Sequence, residues 1–120
     1  PALEVETSKF GQVDIVYVNE LMGIYRLRIA PGKHIEAHFH KHMRECEMAI
    51  TTGALLQNKP LTPGICRDWP TGFIHRYDNP TNEEQVILCI DTPPFDHGDE
   101  IPQETSELVD LPDELKTQYF

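Results

Sequence analysis

Glycine and proline breakers cut this chain into runs too short to be anything but strands, and that punctuation limits its fold more than any other feature. Pro31-Gly32, Asn58-Lys59-Pro60, Pro63-Gly64 and Pro93-Pro94 interrupt it at fairly regular intervals. Between them lie β-rich runs at 13–18, 24–29, 36–40, 45–51, 54–57, 65–69, 75–77 and 85–90. In 24–29, Tyr25, Leu27 and Ile29 alternate with Arg26 and Arg28, the pattern of a half-buried strand with an outward basic row. No helical periodicity separates the runs. Many short strands without helices between them predict an all-β fold, an antiparallel sandwich or barrel.

With 120 residues, one small domain spanning 1–120 is expected. The net charge of −10 repels phosphate backbones and anionic lipid, so neither nucleic acid nor a membrane is an expected partner. No apolar run approaches the ~20 residues of a membrane span. The beginning, Pro1-Ala-Leu-Glu4, lacks the basic and apolar stretches of a secretory signal, so a cytoplasmic location is expected. Cys46, Cys66 and Cys89 are odd in number and widely spaced, which argues against a disulfide framework and predicts reduced, mostly buried thiols. From 96 to 120 the chain is an acidic flank, with Asp96, Asp99, Glu100, Glu104, Glu107, Asp110, Asp113 and Glu114 against Lys116, and is expected to be solvated. Its end carries a helix signal: Asp110 as N-cap, Leu111-Pro112 at the entry and acids in the first turn. One short C-terminal helix is predicted there, packed through Leu115, Tyr119 or Phe120.

The chemistry concentrates in two segments. Residues two apart on a strand face the same way, so His38 and His40 aim at one point. Glu45 returns from the next strand beyond a short connection, and His75 completes a set of three imidazoles and a carboxylate. Gly32, His38, His40 and Glu45 in the first segment, and Gly64, Pro70, Gly72, His75 and Asn79 in the second, have the spacing of two motifs. In both, the chain resembles the cupin family. The second motif fits without a gap, whereas seven residues rather than six separate Glu45 from Gly53 in the first. Glu45 lies at the family's distance from His40 and is the preferred fourth ligand, with Glu47 the alternative. The resemblance covers about 32–91 and implies a double-stranded β-helix, a cupin or jelly-roll barrel.

It also implies one divalent transition metal ion, Fe, Mn, Ni, Co or Zn, held by His38, His40, Glu45 and His75 with positions left open. A metal-free cupin whose histidines line a polar pocket is the competing reading. Glu36 shares strand parity with His38 and faces the cavity if the strand is regular, as a general acid or base, while His34 and His42 are read as surface residues. Glu47 shares the inward face of Glu45, where it must bind metal, meet a base such as Arg28 or Arg67, or carry a proton. Tyr77 shares the face of His75, as a hydrogen-bond donor or as core. Trp69 is expected to cover the barrel end or a partner surface. The expected function is that of a metal-dependent enzyme of isomerase, lyase or dioxygenase type acting on a small polar metabolite, a sugar or organic acid. A non-catalytic sensor or carrier is the alternative. Edge exposure predicts a homodimer sharing the strand at 13–18.

Overall fold

The computed structural model describes residues 3–69 and 71–102. The predicted C-terminal helix and Pro70 therefore lie outside the described residues. Eleven strands form among the rest: β1 (Glu4–Ser8), β2 (Gly11–Val18), β3 (Gly23–Ile29), β4 (His34–His40), β5 (Arg44–Ala49), β6 (Leu55–Leu56), β7 (Lys59–Pro60), β8 (Cys66–Trp69), β9 (His75–Asp78), β10 (Gln85–Thr92) and β11 (Glu100–Pro102). They pair in two sheets, β1-β2-β3-β10-β5-β8 and β11-β4-β9-β6-β7, with every pairing antiparallel. Strands adjacent in space but distant in sequence, such as β3 with β10, give the crossovers of a jelly roll. Among the described residues, no helix is long and apolar enough to cross a membrane.

Alternation sets which side chains enter the barrel. In β10, Gln85, Ile87, Cys89 and Asp91 are buried, and in β5 Glu45, Glu47 and Ala49 are buried. One end of the interior is apolar, built from Ile29, Ile35, Ala49, Leu56, Leu61 and Ile87. The other end is lined with acids and imidazoles. Arg26 and Arg28 do face outward, and Asp14 meets both: its Oδ2 accepts from Arg26 Nε at 2.6 Å and its Oδ1 from Arg28 Nη2 at 2.9 Å. Burial works against an ionised Asp14, but these bonds prevail and lower its pKa.

Three local features depart from the expectations. The strand at 13–18 is not an edge, because β2 pairs with both β1 and β3 and the edge belongs to β1. That extra strand escapes the breaker pattern, and the tight turn behind it needs Gly11: at φ +150° its backbone passes so close to the Arg28 carbonyl that any Cβ would collide. Second, β4 is not regular. Ile35 pairs with Tyr77 and His38 with His75, so Glu36 and Ala37 face only Arg76, which makes a β-bulge. Third, the acidic flank is not wholly solvated: Asp99 is buried and Glu100–Pro102 pairs with β4.

Candidate metal centre

The bulge decides which β4 side chains reach the interior. Ahead of it, Ile35 points in while His34 and Glu36 are exposed; after it, His38 and His40 point in. Glu36 therefore does not face the cavity, and its expected acid or base role is withdrawn. His34 and His42 are exposed, as read from the sequence. His38 sits opposite His75 in register, and Glu45 enters from β5 in the facing sheet.

His38, His40, Glu45 and His75 converge, each offering one ligand atom within 4.8 Å of the others. Every imidazole is fixed from behind by a main-chain carbonyl: His38 Nδ1 on Glu36 O at 2.7 Å, His40 Nδ1 on Asp99 O at 3.0 Å, and His75 Nδ1 on Phe73 O at 3.1 Å. A carbonyl oxygen only accepts, so each Nδ1 carries the proton and each Nε2 is turned to the common point. His75 Nε2 and His40 Nε2 lie 2.9 and 3.4 Å from Glu45 Oε2, and all three atoms are buried without a satisfactory hydrogen bond. Buried polar atoms rarely remain so. Three nitrogens and one carboxylate oxygen suit a divalent transition ion, so the residues fit the metal that the motifs imply.

Electrostatics agree with this donor set. Burial opposes charge on His75, but Glu45 beside it and Glu47 beyond raise its pKa to about 9. Burial likewise opposes ionisation of Glu45, yet His40 and His75 hold its carboxyl well below the usual carboxylate range. A proton shared between His75 Nε2 and Glu45 Oε2 is thus the charge that a bound cation would displace. Burial, and then the His75 charge, push His38 down to about 3, which keeps it neutral as a ligand must be.

Glu47 is separate from this set. It is fully buried, and its Oε1 accepts from Tyr77 Oη at 2.8 Å while lying 3.8 Å from His75 Nε2. Burial and the Glu45 charge raise its pKa to about 7. Of the bases considered for it, Arg28 is turned outward, whereas Arg67 faces it across the β5–β8 ladder and is wholly buried. Tyr77 is both core and donor, and its own pKa lies well above the ordinary value through burial and the Glu47 charge.

Sequence reading missed several residues. Asp99 closes the 41–43 turn: its carboxylate accepts from the amides of Lys41, His42 and Met43 at 3.0, 3.1 and 2.9 Å, while its carbonyl holds His40. Gly72, already singled out as a residue of the second motif, ties the same turn region, its amide donating to His40 O at 2.7 Å from a φ of +86° that favours glycine. Trp69 does not cover a barrel end or a partner; it is buried and stacks flat on His75 at 5.1 Å and 4°. Cys89 and Asp91 form a second buried group with Glu45, Cys89 Sγ lying 3.0 Å from Asp91 Oδ1 and 3.7 Å from Glu45 Oε1. The three cysteines are free, but only Cys89 is buried; Cys66 is exposed, and its Sγ sits 3.4 Å from that of Cys46 on the outer wall.

Beside His38 and Glu45 of the candidate ligand set the barrel holds a cavity of about 160 Å³. Phe10, Val13, Ile15, Leu27, Ile35 and Phe95 supply its apolar wall, and Glu45, Glu47, Tyr77, Cys89 and Asp91 its polar one.

No protein-family model and no curated protein matches the chain. Solved structures do resemble it. A sugar phosphate isomerase from a cupin superfamily, from Silicibacter pomeroyi, is 19% identical with a TM-score of 0.66, over 76% of this chain and 71% of that one. KdgF from Halomonas sp. is 15% identical with a TM-score of 0.65, over 78% and 88%. The capsular polysaccharide assembling protein CapF from Staphylococcus aureus is 16% identical with a TM-score of 0.73, over 88% of this chain but 33% of its own length. What is shared at such identities is the fold: the chain has a double-stranded β-helix.

Proposed function

We propose that this chain is a metal-dependent enzyme acting on a small polar metabolite, with His38, His40, Glu45 and His75 as the ligands of one divalent ion. The observation that carries the reading is the common tautomer of the three imidazoles. Three separate carbonyls hold three Nδ1–H groups, so three Nε2 atoms and one carboxylate oxygen meet at one point, and His38 and Glu45 of that set line a cavity. Such orienting bonds are what a metal centre requires of its histidines. When bound, the ion supplies Lewis-acid polarisation of a substrate oxygen, or a redox centre.

The chain's own residues do the rest. Glu47, with a pKa near 7, holds or gives a proton at Oε1 while Tyr77 keeps that atom in place. Trp69 packs on the His75 ring and stops it from turning. The apolar wall from Phe10 to Phe95 limits water around the reacting group. A proton carrier next to the centre favours isomerase or lyase chemistry over the dioxygenase alternative. The names of the structural neighbours, a sugar phosphate isomerase and a polysaccharide assembling protein, lean toward carbohydrate substrates.

The test separates enzyme from carrier. Once a screen of sugars and organic acids finds a turned-over compound, Glu47→Gln is expected to abolish turnover while metal content and ligand binding persist. Unchanged turnover in Glu47→Gln would remove Glu47 as the proton carrier, and a ligand that binds without being converted by any metal form would leave only the non-catalytic carrier.

A further inference from the structure

The sign of the charge around the cavity narrows the substrate further. Resting on the metal-centre reading above, we infer that the substrate carries no anionic group: it is an uncharged hydroxyl or carbonyl compound with one apolar face, not a phosphate ester or an organic acid.

The inference rests on what lines the cavity. Glu6, Glu45, Glu47, Asp91 and Glu100 contribute carboxyl groups, and among the described lining residues there is no lysine or arginine. His38 turns its Nε2 to the metal set, which leaves His97 as the lining group outside the set able to become positive. Three of the chain's cations are engaged elsewhere: Arg26 and Arg28 hold Asp14 on the outer face, and Arg76 holds Asp78 at 2.9 Å. Arg67 is wholly buried opposite Glu47, its guanidinium nitrogens without a hydrogen bond and its guanidinium carbon 6.0 Å from the Tyr77 ring, and it does not line the cavity.

A phosphate or carboxylate entering here would lose its hydration and meet carboxyl groups rather than guanidinium or ammonium groups. Protonation of Glu47 or Asp91 would remove repulsion without supplying attraction. A bound metal would be the strong cation among the lining groups, and Glu45 would already partly neutralise it. A neutral molecule has no such difficulty: its hydroxyl groups hydrogen-bond to Glu47 and Asp91 in either protonation state and its carbonyl groups to their protonated form, and its apolar face rests on Val13, Ile15, Leu27 and Phe95.

The test uses the full chain loaded with Co(II), its metal content measured first, and three probes with the same chelating head. Methylcatechol has a neutral tail, protocatechuate an anionic one and aminomethylcatechol a cationic one. Titrations followed by the cobalt absorption spectrum at neutral pH are expected to rank the neutral and cationic tails at least about tenfold above the anionic tail. Phe95→Lys is expected to erase or reverse that gap. Protocatechuate binding as tightly as methylcatechol would overturn this inference while leaving the metal reading intact, and so would a loaded chain that binds none of the probes. A chain that takes up no Co(II) would sink the metal reading and this inference with it.

Discussion

Removing the Asp99 carboxylate should loosen the turn that carries the chain from His40 to Glu45, and the structure allows the cost to be worked out. The side chain accepts three amide hydrogens, from Lys41, His42 and Met43. Lys41 and His42 are exposed, so water can take over most of those two bonds in Asp99→Ala. Met43 is 2% exposed, and leaving its amide without a partner costs roughly 1–3 kcal/mol. Adding a fraction of two charge-assisted bonds gives a loss of about 3 kcal/mol. Urea denaturation of the metal-free chain measures it. The carbonyl of residue 99 survives the substitution, so His40 keeps its tautomer but loses its anchored position, and metal affinity is expected to fall roughly tenfold. The pH dependence supplies a second check. Burial opposes ionisation of Asp99, yet its three amide bonds depress the pKa below 3.8. The stabilisation is therefore present above pH 3.8 and lost as pH falls through the folded value, so wild type and variant should converge in acid. A loss under about 1 kcal/mol at neutral pH would refute the assigned role.

Three further outcomes follow from the geometry. Because the His75 pKa is about 9 without metal, each ion bound near pH 7.5 should release about one proton, and apparent affinity should rise with pH until about 9 and then level off; calorimetry in buffers of different ionisation enthalpy reads the proton count, and a count of zero contradicts the shared His75–Glu45 proton. Tyr77→Phe removes the donor to Glu47 Oε1, which should cost roughly 1–3 kcal/mol and raise the Glu47 pKa above about 7, as followed by carboxyl-carbon NMR; an unmoved resonance would show that the bond contributes nothing. Thiol titration of the native chain should modify Cys66 first and Cys46 more slowly, since burial and its Cys66 neighbour push the Cys46 pKa up to about 11, and should reach Cys89 only after unfolding. Early modification of Cys89 would mean that the interior is open.

Much of the barrel and of the centre was legible in the sequence because both obey short-range rules. Breakers and alternation locate most strands, and His38, His40, Glu45 and His75 are spaced so that neighbouring strands bring them to one place. What escaped depends on contacts that no local pattern encodes. Glu36 obeys strand parity on paper, but the extra residue at 36–37 turns it outward, and a bulge is specified by the partner strand β9 as much as by β4. Asp99 reads as one more acid in an acidic tail until its carboxylate is seen to cap a turn more than fifty residues earlier in the chain. Cys46 and Cys66 look unrelated at their spacing, yet β5 and β8 lie side by side and bring the two sulfurs together. Trp69 gave no sign of stacking on His75, because that contact joins strands of opposite sheets.

X-ray absorption at the edge of the metal that co-purifies tests the central claim most directly. Ligation by His38, His40, Glu45 and His75 should give a shell of nitrogen and oxygen near 2.0–2.2 Å with imidazole scattering from three rings and no sulfur. A sulfur shell near 2.3 Å would instead place the ion with Cys89, Asp91 and Glu45, and the absence of any bound metal in a chain purified without chelators would remove the centre altogether.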